Sequence, residues 1–222
     1  MNLKKLAADE AVKLIEDGMT VGLGTGSTAY WAIMGIGERV KNGLNIRAVA
    51  TSEASDRLAR ELNIPIVPFS EVETIDVTID GADESDHSLN LIKGGGGALL
   101  REKIVASSSK RLVIIADESK VVERLGKFPL PVDVVPFAVE LTLRKLAALG
   151  CEPKLRRKED GELFKTDNGN YVADCSFGAI ADPAALHDQL NNIAGVVDNG
   201  LFIGMADMVI VGHQDGTVSV LK

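Results

Sequence analysis

Three short stretches carry residue types that could do chemistry. Residues 24–28 read Gly-Thr-Gly-Ser-Thr, residues 80–84 read Asp-Gly-Ala-Asp-Glu, and Lys93 is followed by four consecutive glycines, with Glu102 five positions beyond them. A glycine run loses more conformational entropy on folding than other residues do, so a purely structural role would favour something stiffer. Bare backbone is wanted where the chain must come close to something that is not protein. Its N–H groups can line a developing oxyanion while Lys93 supplies a full positive charge.

Asp80, Asp83 and Glu84 crowd one loop, and carboxylates packed together shift one another's proton affinity, which suits proton transfer. A capped or solvated turn competes with that reading, as does a hard-cation site built on Asp-x-x-Asp. Glu102 falls in the first turns of a helix, where it is either a base or simply a partner for the helix dipole. Residues 24–28 lie between a strand and a helix, where free N–H groups and the dipole favour an anion, with the hydroxyls of Thr25, Ser27 and Thr28 as further donors. Gly24-x-Gly26-x-x-Ala29 also fits a loose dinucleotide fingerprint, but Asn45–Ala50 carry no acid and Glu53 comes late. A glycine turn that only closes the helix against the sheet is the plainest alternative.

The elements that must position these residues alternate. TVGL, a helix from Ser27, NIRAVA, a helix over EASDRLARELN, IPIVPF, TIDVTID, a helix over LLREKIVASSS, and RLVIIAD read as a parallel sheet covered by helices. GLGTGST, TSEAS, DGADE and ADESK each follow a strand, so all four are expected at the carboxyl edge, where such sheets bind ligands. After KFPLPVDVVPF the pattern changes to strand, helix, two strands, helix, strand (PVDVV, AVELTLRKLAALG, CEPKLRR, NYVADCSF, PAALHDQLNN, AGVVDNGLF), a ferredoxin-like order. DMVIVG is apolar enough to return to the first sheet. The expected architecture is an α/β, Rossmann-like parallel-sheet domain (1–127 and 206–222) with a smaller inserted ferredoxin-like α+β domain (128–205).

The 222 residues, 45% hydrophobic and 25% charged, suit a folded globular chain. A net charge of −8 argues against nucleic-acid or anionic-membrane surfaces. No apolar run approaches a membrane span and the N-terminal helix is interrupted by charge, so a cytoplasmic protein is expected. Cys151 and Cys175 are too few and too far apart for a disulfide scaffold and read as buried thiols. His87, His187 and His213 stand at unrelated positions, and no nucleophile elbow occurs. The run Lys154–Asp160 reads as a solvated strand end.

GLGTGSTA, DGADE, KGGGGALLREKIVA, LPVDVVPFA and GVVDNGLF, in this order and spacing, closely resemble ribose-5-phosphate isomerase of type A, and the likeness runs from the first helix to DMVIVG. The resemblance implies an aldose–ketose isomerase working on a small phosphorylated pentose with no metal or organic cofactor, as a homodimer or homotetramer. It matches Glu102 to the general base, Lys93 to the cation beside the enediolate, and Asp80 and Asp83 to acids that bind the sugar and help open its ring. Thr25, Gly26, Ser27 and Thr28 match the phosphate loop, while Gly81, Ala82, Gly94, Gly95, Gly96 and Lys120 match substrate contacts. Asp133 stands where the family usually has Glu, and Ala194 where it has Pro. The register of Lys4 and Lys5 is left open. A sugar-phosphate sensor on the same fold would need a basic helix-turn-helix, for which this chain is expected to have no room, and an aminosugar-phosphate deaminase would release ammonia.

Overall fold

The computed structural model describes residues 2–222. In chain order the elements are α1 (Leu3–Val12), β1 (Thr20–Leu23), α2 (Ala29–Lys41), β2 (Arg47–Ala50), α3 (Glu53–Glu61), β3 (Val77–Gly81), β4 (Glu84–Ser85), β5 (Leu91–Ile92), α4 (Leu99–Ser107) and β6 (Leu112–Asp117). There follow β7 (Leu130–Val134), α5 (Val139–Ala148), β8 (Glu152–Leu155), β9 (Tyr171–Ser176), α6 (Pro183–Asn191), β10 (Val196–Asn199), β11 (Leu201–Phe202), β12 (Met208–Gly212) and β13 (Val218–Leu221).

The main sheet has the order β13-β12-β6-β3-β1-β2, parallel throughout except for the terminal β13. Its strands are apolar on both sides because both faces are covered, as a parallel sheet requires. Successive residues of β6 show the split: Val113 and Ile115 face the core under α1 and α2 with Ala11, Ile33 and Ile36, while Leu112, Ile114 and Ala116 face Ala106 of α4 and Phe202. From β1 the chain crosses to β2 at the sheet edge, and β3 then lies on the other side of β1. That reversal opens a crevice at the carboxyl ends of β1 and β3.

The chain leaves this sheet after β6 and returns to it at β12, which pairs with β6 in parallel. Between them β7 to β10 form an antiparallel sheet in the order β10-β7-β9-β8, with Val139 and Leu146 of α5 and Leu190 of α6 in its core. This is the ferredoxin-like arrangement anticipated from the element order. No helix among the described residues is long and apolar enough to cross a membrane.

Several local expectations need correction. IPIVPF makes only a single parallel bridge, Ala48 to Ile66, because Pro65 and Pro68 bracket it and lack the donors a strand needs. AGVVDNGLF breaks at Gly200: β10 stays in the four-stranded sheet, whereas β11 crosses to β5 in a small third sheet with β4. The hairpin strand β13 was not anticipated, although Asp215-Gly216 is a turn signal and Gly216 has φ +86°. Cys175 is buried but Cys151 is only half-buried, and the fold sets their thiols against each other, which lowers Cys151 and raises Cys175.

Candidate active site

The first wall of the crevice is the loop between β1 and α2. Gly24 is obligatory there, since a Cβ would lie 2.2 Å from Asp80 Oδ1. Thr28 is the N-cap of α2 but sends no side-chain bond back to the helix, and the amides of Gly26, Ser27 and Thr28 have no backbone acceptor among the described residues. The residues that carry those amides and the Thr28 hydroxyl all line one cavity at the positive end of α2, a place suited to an anion. Ser27 Oγ accepts from Lys4 Nζ at 2.9 Å, which gives Lys4 a fixed place at the rim. Lys5 instead pairs with Asp9. The Thr25 hydroxyl turns away from the crevice into a cluster with Thr51 (2.7 Å), Ser52 (2.8 Å) and Ser55 (3.3 Å), so only its backbone serves the loop.

At the foot of the crevice Lys93 Nζ lies 3.0 Å from Asp80 Oδ2 and 3.5 Å from Glu102 Oε2, with all three side chains buried, and it also donates to the Gly81 carbonyl. Asp80 Oδ1 accepts from the amides of Thr25 (3.0 Å) and Gly81 (2.7 Å), so both oxygens of this carboxylate are held by neighbours. Burial pulls Lys93 down, but the charges of Asp80, Glu102 and Asp83 outweigh it and hold the ammonium above its ordinary value. Glu102 Oε2 has no hydrogen-bond partner. Burial first, and then the charges of Asp80 and Asp83, push Glu102 up to about 8 against the opposing pull of Lys93.

A carboxyl group raised on folding contributes stability that is fully present below its unfolded value of 4.5 and is lost as pH rises through about 8. Glu102→Gln should therefore flatten the fall in stability across that window. Denaturant melts near pH 5 and near pH 9 measure it, and an equal fall in both proteins would show that Glu102 is not the group responsible.

Between these parts runs the glycine loop. A Cβ at Gly95 would meet Asp83 Oδ1 at 2.4 Å and push away the carboxylate that accepts the Gly95 amide. Arg156 Nη1 donates to the carbonyls of Gly94 (2.9 Å) and Gly95 (3.0 Å), and its guanidinium is anchored on Asp174. In a planar trans peptide the N–H points opposite to the preceding C=O. The Gly95 amide is thereby aimed at Asp83 Oδ2, which accepts it at 2.7 Å, and the Gly96 amide away from Arg156 toward the crevice.

These parts enclose a cavity of about 300 Å³. Thr25, Gly26, Ser27, Thr28, Gly81, Ala82, Asp83, Lys93, Gly94, Gly95, Gly96, Glu102 and Lys120 all line it, together with Lys4. Asp80 does not; it stands behind the wall as the partner of Lys93. Glu84 is also elsewhere, accepting from the amides of Gly126 (2.7 Å) and Phe128 (2.6 Å) as a structural brace. Arg156 was misread as part of a solvated strand end, since nothing in its neighbourhood says that it reaches glycines over 60 positions earlier. No group of three or more His, Cys, Asp or Glu side chains among the described residues is disposed to hold a metal ion.

Comparison with known proteins gives a consistent result. The family model of ribose 5-phosphate isomerase A (phosphoriboisomerase A) matches residues 47–216. Ribose-5-phosphate isomerase A of Bacillus cereus is 55% identical over 217 residues, 97% of this chain and 98% of its own, and that of Parvibaculum lavamentivorans is 53% identical over 96% and 95%. Among solved structures, a D-ribose-5-phosphate isomerase in complex with phospho-erythronic acid superposes with a TM-score of 0.96 at 43% identity, covering 100% of both chains. The Methanocaldococcus jannaschii ribose 5-phosphate isomerase A superposes at 0.93 with 43% identity, over 99% of this chain and 97% of the other. With the cavity, the buried lysine between carboxylates and this end-to-end likeness in view, the chain belongs to the ribose 5-phosphate isomerase A family.

Proposed function

We propose that this chain interconverts D-ribose 5-phosphate and D-ribulose 5-phosphate through an enediolate. One observation carries the reading: a buried ammonium between two carboxylates lies at the foot of a cavity whose rim is a helix start with free amides. One end suits proton transfer and the other holds an anion. The relative bound to phospho-erythronic acid supports this, because that molecule carries a phosphate at one end and a carboxylate at the other.

The phosphate rests on Gly26, Ser27 and Thr28, with Lys4 and Lys120 adding charge at the rim. Its binding energy orients the small sugar. Asp83 faces the cavity and exchanges protons with the C1 hydroxyl and ring oxygen as the ring C1–O bond breaks. Ionised Glu102 takes the C2 proton; the electron pair forms the C1–C2 double bond, and negative charge gathers on O1 beside Lys93 and the Gly96 amide. The O2 proton passes to O1, Glu102 returns its proton to C1, and the carbonyl is now at C2. Asp80 acts through Lys93 by holding the ammonium in place.

A coupled assay with ribose 5-phosphate, run with and without prolonged EDTA, tests the reading. Conversion at the same rate in both is expected, since Lys93 and backbone amides supply the charge stabilisation. Activity lost to EDTA and restored by a divalent ion would overturn the roles given to Lys93 and Asp83. No conversion, with ammonia released from an aminosugar phosphate instead, would favour a deaminase.

The rim has its own prediction. Thr28→Val keeps the shape and removes one hydroxyl, so binding of phosphorylated sugars should weaken by about 1.5–3 kcal/mol while that of free ribose is unchanged. Equal loss for both in inhibition assays would mean that the loop does not hold the phosphate. Residues 1–127 with 206–222 are proposed as the catalytic domain and 128–205 as a second domain through which a homodimer or homotetramer forms. Phe137 (88% exposed) and Leu141 (55% exposed) support an interface there, and cytoplasmic residence goes with the proposal.

A further inference from the structure

We propose that Asp133 is a positioning residue for Glu102: one buried water links its carboxylate to the free amides that open α4 and so fixes the turn on which Glu102 stands. The role of Glu102 rests on the isomerase reading above, but the contact itself does not.

α4 begins without a side-chain cap, since Ala98 occupies the N-cap position. The amides of Leu99, Leu100 and Arg101 have no acceptor among the described residues. Beside that turn lies a small, partly open cavity of about 10 Å³, with Ala98, Leu100 and Arg101 on one side, Asp133 and Thr166 on the other, and Asp167 and Asn168 toward its mouth. Asp133 is 1% exposed, and its Oδ1 is fully buried with no hydrogen-bond partner. Orphaned donors and an orphaned acceptor thus meet at one space of single-water size, and buried polar groups in folded proteins are paired directly or through such waters. The water accepts from an α4 amide and donates to Oδ1, and a negative charge at a helix start is the favoured sign.

The charged surroundings agree. Asp198 of β10 stands opposite Asp133 in register and is neutralised by Lys103 of α4 at 2.6 Å. Arg101 is tied to Asn168 Oδ1 (2.6 Å) and Asp167 (3.3 Å). Burial first, then Asp198, push Asp133 up to about 6, with the Asn170 side chain opposing. The charged form accepts from the water, and the protonated form can exchange a hydrogen bond with it. Glu102 Oε2 has no hydrogen bond and only the 3.5 Å ion pair with Lys93, so the place of the carboxyl group depends on the helix backbone as well.

Three variants and one crystal structure test the proposal. The wild-type crystal structure should show a water within hydrogen-bond distance of Asp133 Oδ1 and an α4 amide. Asp133→Leu removes the acceptor at similar volume, so kcat should fall on the order of tenfold with KM within about twofold. Asp133→Glu reaches the amides directly through one more methylene and should keep kcat within about twofold of wild type. Asp133→Asn retains an oxygen acceptor but no charge, and should fall between the other two. Wild-type kcat in the Leu variant, an equal loss in Leu and Glu variants, or the absence of that water would overturn the proposal. If the Leu variant does not fold, the Glu variant and the wild-type water still decide. If wild-type protein does not isomerise ribose 5-phosphate, the isomerase reading falls, and the contact is judged by hydrogen exchange at residues 99–101. Faster exchange in the Leu variant supports the contact and unchanged exchange overturns it.

Discussion

Glu102→Gln is expected to bind ribose 5-phosphate nearly as well as the parent protein while turnover falls by on the order of 100-fold or more. The amide keeps the shape of the side chain and removes only the basicity. The same buried position that pushes Glu102 up to about 8 gives the parent enzyme an ascending limb of kcat/KM through that pH, because the free enzyme must lose this proton to act. That limb should vanish in the Gln variant. Solvent-deuterium exchange into C2 of the substrate should fall in step with turnover, since one proton transfer feeds both. A Gln variant turning over at near the parent rate would move the base to Asp83, the other carboxylate that faces the cavity.

Lys93→Met should be the more damaging change, because two functions leave with one ammonium. Removal of an oxyanion donor costs roughly 100- to 1000-fold in kcat. Breaking a buried ion pair by deleting one partner costs about 3–5 kcal/mol, here because Asp80 is left without its counterion and Glu102 without the positive charge that offsets its burial. The two losses can be separated: adding Glu102→Gln to Lys93→Met should recover part of the stability and none of the activity. Denaturant melts and steady-state rates on the single and double variants measure this. A single variant as stable as the parent would show that the carboxylates do not depend on the lysine.

Much of this was legible in the sequence, for a physical reason. Phosphate loops, strand-end acids and bare glycine backbone act within a few residues of where they are written, so GTGST, DGADE and KGGGG announce both their chemistry and their place at strand ends. The alternation of strands and helices likewise follows from local periodicity. Side-chain direction does not. Nothing in DGADE says that Asp80 turns behind the wall to hold Lys93, that Asp83 faces the cavity, and that Glu84 braces Gly126 and Phe128. Arg156 was invisible because its partners, the carbonyls of Gly94 and Gly95, become neighbours only when the four-stranded sheet folds against the parallel one. The hydroxyls of Thr51, Ser52 and Ser55 were placed on the right rim, yet their service to Thr25 depends on how α3 packs.

The backbone around Lys93 has a bearing on how such a molecule can evolve. The Lys93 amide donates to Gly200 O at 2.9 Å, Gly200 in turn donates to Pro131 O at 2.7 Å, and Arg156 grips the two carbonyls that follow. The reactive loop is written in the parallel-sheet portion of the chain but is moored to the excursion that interrupts it. Excising that excursion could leave a folded sheet, yet the remnant would have lost the mooring that aims its amides. Chimeras that join the two portions from distant relatives should accordingly fold more often than they catalyse. A substitution in either portion thus bears on the few bonds that tie Lys93, Gly94 and Gly95 to Gly200 and Arg156.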